Sequence, residues 1–188
     1  MHSIIHKAEA SSGSRHLVVL GTDDSDWSIV GLSKAEHDFV TSKLAIGKLS
    51  IHINQYSRSI FIESLKEEAT LSKRIEKARE RGAKLVKQCN EAKIEEVELM
   101  SLSSSNLSLY VAEGMALANY QFLKYFSAPE KKLNSLKAIF LDAESSVIEN
   151  MNAVVSGTLY ARDFVNEPLS YLTALQFSDD MLDLGKEA

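Results

Sequence analysis

Residues 49–62 read Leu-Ser-Ile-His-Ile-Asn-Gln-Tyr-Ser-Arg-Ser-Ile-Phe-Ile and contain two short isoleucine-rich runs separated by the polar Asn54–Ser57. Isoleucine alternates with polar residues in the first run, and apolar β-formers close the second, which is typical of strands. We predict strands at 49–53 and 58–62 that can pair directly as a hairpin. A hairpin pairs its strands antiparallel, so it would make an otherwise parallel sheet mixed.

The residues before this hairpin predict one strand and one helix. Arg15–Leu20 is a short β-branched run closed by Gly21. Ser33 has the character of a helix N-cap, and Glu36 three residues later completes a capping box. We expect the helix that follows to end at Gly47.

The residues after the hairpin continue the alternation of helices and strands. An amphipathic helix is predicted at 71–88, a strand at 94–100, a helix at about 107–126, a strand at 136–141 and a helix from about 147 to Glu167, ahead of Pro168. The candidate caps of the 107–126 helix are Ser104, Ser105 and Asn106, and its apolar side is Tyr110, Val111, Met115, Ala118, Phe122 and Phe126. This order predicts an α/β fold: a three-layer αβα arrangement with a mixed sheet covered on both faces.

Composition narrows the class of protein. The 188 residues, 45% apolar and 25% charged, suit a globular chain with a substantial core, and the single cysteine, Cys89, excludes an internal disulfide. A net charge of -5 argues against nucleic-acid binding, and acidic residues interleave with the basic ones of Lys73–Lys84. No stretch approaches the ~20 apolar residues of a membrane span, and the first residues lack a secretory signal. We therefore expect a cytoplasmic protein with no membrane partner.

Candidate metal ligands do not converge in the sequence. His2 and His6 are four residues apart, but at a terminus that we expect to be frayed. Asp23, Asp24 and Asp26 are spaced like part of a calcium loop without its glycine and terminal glutamate, so a turn is the better interpretation.

Nucleophiles and phosphate loops are no better supported. Cys89 has Lys87 and Lys93 near it in sequence, which would favour a thiolate, but no histidine and acid partners can be identified. We interpret it as a half-buried helix residue. The glycines form no phosphate-binding pattern and are expected to serve turns and caps.

Two segments of the final third stand out: Ala112-Glu-Gly-Met-Ala-Leu-Ala-Asn-Tyr-Gln-Phe122 and Ala161-Arg-Asp-Phe-Val-Asn-Glu-Pro168. Glycine in a helix costs about 1 kcal/mol relative to alanine, so Gly114 predicts close packing against the sheet or another helix. Asn166 is expected to bond to local backbone as its helix ends. We interpret both segments as structural rather than catalytic.

Both segments resemble a signature of the leucyl aminopeptidase family of two-metal peptidases. They match its patterns Glu-Gly-X-X-Leu-Ala-X-Tyr-X-Phe and Ala-Arg-Asp-Leu-Val-Asn-X-Pro, within a resemblance that spans residues 58–181. The structural motif residues are Glu113, Gly114, Asn119, Tyr120, Phe122, Arg162, Asp163, Asn166 and Pro168. The chain departs from the family where Glu63-Ser-Leu65 replaces a Gly-Leu-Gly turn and Leu172-Thr-Ala174 replaces Leu-Thr-Pro.

The resemblance implies a macro-domain-like N-terminal domain at residues 1–167, with 168–188 as a linker and the start of a catalytic domain. That domain would carry two divalent metals, Zn or Mn. The family's Asn-Thr-Asp-Ala-Glu-Gly-Arg run and the Lys and Asp motifs before it do not occur here, so no catalytic or metal-binding residue is carried over. We expect this chain alone to be inactive.

The role implied by the resemblance is scaffolding: holding its own C-terminal catalytic domain, contributing to a hexamer and shaping access to the active site. The alternative is a stand-alone macro-like domain that binds ADP-ribose or a related nucleotide. Such domains usually present glycine-rich loops to the diphosphate, and this chain has no convincing one.

Overall fold

A six-stranded sheet forms the centre of the protein, in the order β1-β6-β5-β2-β4-β3. The computed structural model describes residues 3–8, 15–22, 25–65, 68, 70–102 and 107–187. The strands are β1 Ile4–Lys7, β2 His16–Gly21, β3 Ser50–Asn54, β4 Ser59–Ser64, β5 Glu96–Ser101 and β6 Ala138–Leu141. The helices are α1 Lys34–Ala45, α2 Leu71–Glu91, α3 Leu107–Ala118, α4 Ser145–Asn166 and α5 Ala174–Glu187.

The predicted hairpin is confirmed and makes the sheet mixed. Strands β3 and β4 pair antiparallel, with Ile51 opposite Ile62 and Ile53 opposite Ile60, whereas every other neighbouring pair is parallel. All strands except β3 therefore end at the same edge of the sheet, which we call the carboxyl edge.

Helices cover both faces of the sheet, which confirms the predicted three-layer αβα class. On one face, α2, α3 and α4 contribute side chains such as Leu85, Met115 and Leu159 to a core shared with Val18 and Phe61. On the other face, α1 and a short 3₁₀ helix at Trp27–Val30 pack on the isoleucines of the hairpin. Burial of these two apolar surfaces is the main stabilising contribution to the fold.

The ends of α1 and α4 lie close to where the sequence predicts them. Ser33 accepts a hydrogen bond from Glu36 N, and the Glu36 carboxylate accepts one from Ser33 N at 2.7 Å, so the capping box is formed. Gly47 follows α1 with φ 77°, a left-handed conformation that glycine adopts without strain. Helix α4 ends at Asn166, as the proline two residues later requires.

The expectation of a frayed N-terminus is wrong for residues 4–7. They form β1, which pairs parallel with β6, and Ile5 is 1% exposed. Asn152 of α4 accepts from Ile5 N at 3.1 Å and donates to Ile5 O at 2.8 Å, which satisfies the outer edge of the strand. The paired isoleucines of residues 4 and 5 are the sequence signal for this strand.

Three further expectations are corrected or limited by the structure. Helix α3 ends at Ala118 instead of 126, so Phe122 and Phe126 lie outside it. Cys89 is fully buried rather than half-buried, and burial raises its pKa to about 12 in spite of the nearby lysines. Asp26 caps the 3₁₀ helix through Ser28 N, as a turn residue does. The predictions for His2, Asp23, Asp24, Ser104, Ser105 and Asn106 fall outside the described residues.

Candidate functional site

The two motif segments come together where α3 and α4 end, and they form the candidate site. The first segment spans most of α3 and the extended chain after it, whereas the second is the last turn of α4 and the residues beyond. Because α3 and α4 pack side by side on one face of the sheet, their ends are brought within hydrogen-bonding distance. We call this region the junction, defined by residues 120–125 and 162–171.

The first motif also fixes α3 against α2. A Cβ placed on Gly114 would lie 2.3 Å from Arg79 O, and one on Gly82 would lie 2.2 Å from Val111 O. The two backbones therefore touch, which accounts for glycine at both positions. The Glu113 carboxylate, buried beside this contact, accepts hydrogen bonds from Arg79 Nε at 2.8 Å and Nη2 at 3.2 Å.

Asn119 ends α3 because its side chain is committed to four partners. Its Nδ2 donates to Ser3 Oγ at 2.6 Å and to Leu136 O at 2.8 Å, and its Oδ1 accepts from Asn90 Nδ2 and Asn134 Nδ2, each at 2.8 Å. The residue is 3% exposed, so these bonds replace water that cannot reach it. Continuing the helix past Asn119 would break this network, and the chain turns away instead.

Tyr120 links the two motifs directly. Its hydroxyl donates to Asp163 Oδ1 at 2.8 Å and accepts from Asn166 Nδ2 at 3.1 Å. Asn166 also donates to Arg162 O at 2.8 Å, the local backbone bond that the sequence indicates. Burial and the bond to Asp163 raise the pKa of the Tyr120 hydroxyl, so it stays a donor at neutral pH.

Arg162 joins the end of α4 to the end of α3. Its Nη1 donates to Leu117 O, one of the carbonyls that the end of a helix leaves without an intrahelical partner. The guanidinium also lies 5.6 Å from the centre of the Tyr120 ring. A cation at a helix C-terminus is also favoured by the helix dipole.

Glu167, directly after α4, accepts hydrogen bonds from a basic and a phenolic side chain that follow the first motif. Lys124 Nζ donates to Glu167 Oε1 at 2.6 Å, and the Tyr125 hydroxyl donates to Oε2. These two bonds lower the pKa of Glu167. Lys124 Nζ also lies 3.9 Å from the centre of the Tyr171 ring, so it holds the turn after Pro168 as well.

A surface cleft of about 490 Å³ lies beside these bonds, lined by the chain after α3, Pro129, Leu133 and the end of α4. Phe122, the last residue of the first motif, lines this cleft, and Pro168 marks the point where the chain leaves α4. The carbonyl of Pro168 accepts from Tyr171 N at 2.9 Å and Leu172 N at 3.0 Å, which makes a defined turn into α5.

Helix α5 lies beyond the junction and packs loosely on the rest of the chain. Phe177 meets Phe164 of α4 edge to face at 5.2 Å. Leu184 is half-buried, and the other large apolar residues of α5 are exposed: Leu175, Met181 and Leu182. A helix with a strongly apolar side and nothing buried on it presents that side to solvent.

The described part of the chain gives no group of three or more His, Cys, Asp or Glu side chains that could hold a metal ion. No step through a metal is therefore derived for these residues. Among the same residues, no helix is both long and apolar enough to cross a membrane.

Sequence reasoning missed several partners of the motif residues. Ser3, Asn90 and Asn134 complete the Asn119 network, and each is an isolated polar residue in its own segment, with no spacing that links the three. Lys124 follows the first motif directly and Glu167 lies inside the second, so adjacency is a signal that could have found these two.

Comparison with known proteins gives a likeness in fold but none in sequence. No protein-family model matches the chain, and no curated protein is significantly similar to it. Among the solved structures with this fold is a leucine aminopeptidase from tomato, with a TM-score of 0.71 and 13% sequence identity. The match covers all of this chain and 42% of the tomato chain. The chain thus has the fold of part of a leucine aminopeptidase and spans less than half of that protein's length.

Proposed function

We propose that this chain is the non-catalytic N-terminal domain of a leucyl aminopeptidase-like metallopeptidase, and that it holds and orients a catalytic domain following Pro168. The parent protein would release N-terminal amino acids from peptides in the cytoplasm. Its two divalent metals, zinc or manganese, would be ligated by that second domain, where they would activate the attacking water. Residues 1–167 would act as the scaffold and contribute to a hexamer.

The observation that carries this proposal is the junction. Both segments that resemble the aminopeptidase signature meet there, and polar side chains in and beside them bond to one another across the ends of α3 and α4. Such bonds fix the direction in which the chain leaves α4. A fixed exit direction is what a domain needs in order to orient its neighbour in the same chain.

Exposed apolar side chains on the last two helices support the same proposal. On α4, Val147, Val154 and Val165 lie at helical spacing and are exposed, and on α5 Leu175 and Leu182 are 80% and 62% exposed. Exposed apolar side chains at helical spacing are typical of a region that another protein surface covers. The catalytic domain is the partner that the proposal assigns to it.

Reading the source DNA past the codon for Ala188 tests the proposal most directly. An open frame continuing into the family's Lys, Asp and Asn-Thr-Asp-Ala-Glu-Gly-Arg motifs is expected. A stop codon at that point would contradict a role as one domain of a peptidase.

Activity assays give a second test. With manganese or zinc added, the longer product is expected to hydrolyse leucine amide and the 188-residue chain is expected to leave it intact. Metal-dependent turnover by the 188-residue chain would overturn the assignment of catalysis to another domain.

A further inference from the structure

A small cleft of about 220 Å³ opens at the carboxyl edge of the sheet, between the end of β4, the first four turns of α2 and Leu107 of α3. Four basic side chains line it, namely Arg74, Lys77, Arg81 and Lys84, against two acidic ones, Glu68 and Glu80. The cleft therefore has an excess of positive charge in a protein whose net charge is -5.

Only part of this positive charge is neutralised within the protein. Lys77 Nζ pairs with Glu80 at 2.8 Å, and Arg81 Nη1 lies 3.5 Å from Glu63. Arg74 and Lys84 have no side-chain hydrogen bond or ion pair within the described part of the chain. Among the described residues, Lys84 therefore has only the longer-range attraction of Glu63 and Glu80, and both cations can contact a ligand in the cleft.

The charges at the start of α2 are unusual for a helix. Lys73 and Arg74 occupy its first turn, which contains no acidic residue. The N-terminus of a helix favours negative charge, so basic residues there work against the helix dipole. A sequence that breaks such a local rule without a structural gain commonly does so at a functional site.

The buried carboxyl of Glu63 does not line the cleft but lies beside it, next to the lining residue Ser64 and close to Arg81. Glu63 is 2% exposed, and its Oε1 accepts a hydrogen bond from Ser50 Oγ. Its Oε2 has no hydrogen bond, and the nearby Arg81 Nη1 is farther than a good N–H···O bond allows. Arg81 is therefore held near Glu63 by charge while it keeps N–H groups for a ligand. A guanidinium so placed suits an oxyanion, since its fork of donors matches phosphate oxygens.

We propose that this cleft binds a small phosphate-type oxyanion through Arg74, Arg81 and Lys84. Its volume lies below the ~300–1,000 Å³ of sites for drug-sized molecules, so the ligand is an anion of a few atoms rather than a dinucleotide. Open α/β sheets bind ligands outside the carboxyl ends of their strands, and the cleft lies there. This inference does not depend on the scaffold role proposed above.

Titration of the 188-residue chain with inorganic phosphate, at constant ionic strength with chloride as the exchanged anion, tests the proposal. Amide chemical shifts near β4 and the start of α2 should move saturably, with a Kd on the order of millimolar. The Arg74→Gln and Lys84→Gln double variant should weaken phosphate binding at least about tenfold, because it removes two charge-assisted bonds.

The matched control is Lys73→Gln with Lys87→Gln, which removes the same charge from the same helix outside the cleft. It should bind phosphate within about twofold of the unmodified chain, since long-range charge effects are screened by salt. All four side chains are at least partly exposed, and circular dichroism checks that both variants fold. Equal weakening in both variants, an unsaturable response, or tighter binding of ADP-ribose than of phosphate would overturn a small-anion site.

Discussion

The contact between α2 and α3 and the junction where α3 and α4 end are built in opposite ways. At the first, two helix backbones touch at Gly82 and Gly114, and the residues between them are buried. At the second, exposed or partly exposed polar side chains carry the bonds, and α5 keeps most of its apolar residues in solvent. The α2–α3 contact is buried within this chain, whereas the junction leaves the apolar residues of α5 exposed for contact with another protein surface.

This difference separates what stabilises the fold from what the domain does. Close packing in the α2–α3 contact contributes stability because every atom there has neighbours. The hydrogen bonds of the junction lie largely at the surface and contribute less each, but they set the direction of the chain. Disrupting the α2–α3 contact should unfold the domain. Removing the hydrogen bonds of the junction should leave the domain folded with α5 released.

The largest effect is expected from Gly114→Val. The new side chain would overlap the Arg79 backbone, and relief would require α2 and α3 to separate, so we expect a loss of about 3 kcal/mol or more in the free energy of unfolding. Urea denaturation followed by circular dichroism measures it. Gly157→Ala on α4 is the control, because a Cβ there meets no atom within 4 Å; we expect a gain of about 0.5–1 kcal/mol. Similar stability of the two variants would show that the helices do not need glycine.

The next largest effect is expected from replacing Asn119 of the first motif, and it is compared with the effect of replacing Asn166 of the second motif on the free energy of unfolding. Asn119→Ala removes hydrogen bonds from four buried or partly buried partners on three segments, and we expect a loss of about 2–3 kcal/mol. Asn166→Ala removes bonds that water can replace, with a loss below about 1 kcal/mol. Equal losses in urea denaturation would contradict the distinction between a packed region and an open junction.

A smaller effect is expected from the pH dependence of Glu63→Gln. Burial raises the pKa of Glu63, only partly offset by Ser50 and Arg81, so the folded chain binds more protons than the unfolded chain above the ordinary pKa. The stability of the unmodified protein should therefore fall as pH rises through that range. The variant should not show this decrease, because glutamine does not titrate. In thermal melts, the melting temperature of the variant should exceed that of the unmodified protein by more at pH 7 than at pH 4. A difference that is the same at both pH values would be inconsistent with a buried titrating carboxyl.

The smallest and most local effect is expected at Glu167, where the stability depends on pH in the opposite direction to that at Glu63. Lys124 and Tyr125 lower the pKa of Glu167, so the stabilisation it provides is present above its ordinary pKa and is lost as pH falls through the folded value. Hydrogen exchange of the Tyr171 and Leu172 amides should accelerate on acidification, corrected for the intrinsic rate. Glu167→Gln should show faster exchange already at neutral pH, with the global free energy of unfolding nearly unchanged. Unaltered exchange in the variant would show that this carboxylate does not hold the turn into α5.

Much of the fold could be predicted because its signals are local. The hairpin follows from two isoleucine runs with a polar turn, and α1 follows from its capping box at Ser33 and Glu36. The error at the end of α3 has a non-local cause: Phe122 and Phe126 continue the apolar period, but Asn119 is bound by residues 3, 90, 134 and 136. Periodicity carries no information about such partners.

The candidate sites likewise combine features that the sequence shows with features that depend on contacts between distant residues. The two motif segments are visible in the sequence, yet their meeting at Tyr120, Asp163 and Asn166 depends on α3 and α4 packing side by side. The basic cleft could not be predicted from the interleaved charges of α2, because among the described residues only Lys77 and Arg81 of its four cations form an ion pair, with Glu80 and Glu63.

The sequence by itself determined the order of helices and strands, the caps of α1, the need for close packing at Gly114 and the end of α4 before Pro168. These depend on backbone preferences and on apolar periods within a few residues. Only the tertiary structure decided that residues 4–7 form a strand, that Cys89 is fully buried, that Asn119 closes α3 and that Glu63 lies beside a basic cleft. Each of these depends on atoms far apart in the chain, whose burial and pairing arise only when the sheet and its helices are assembled.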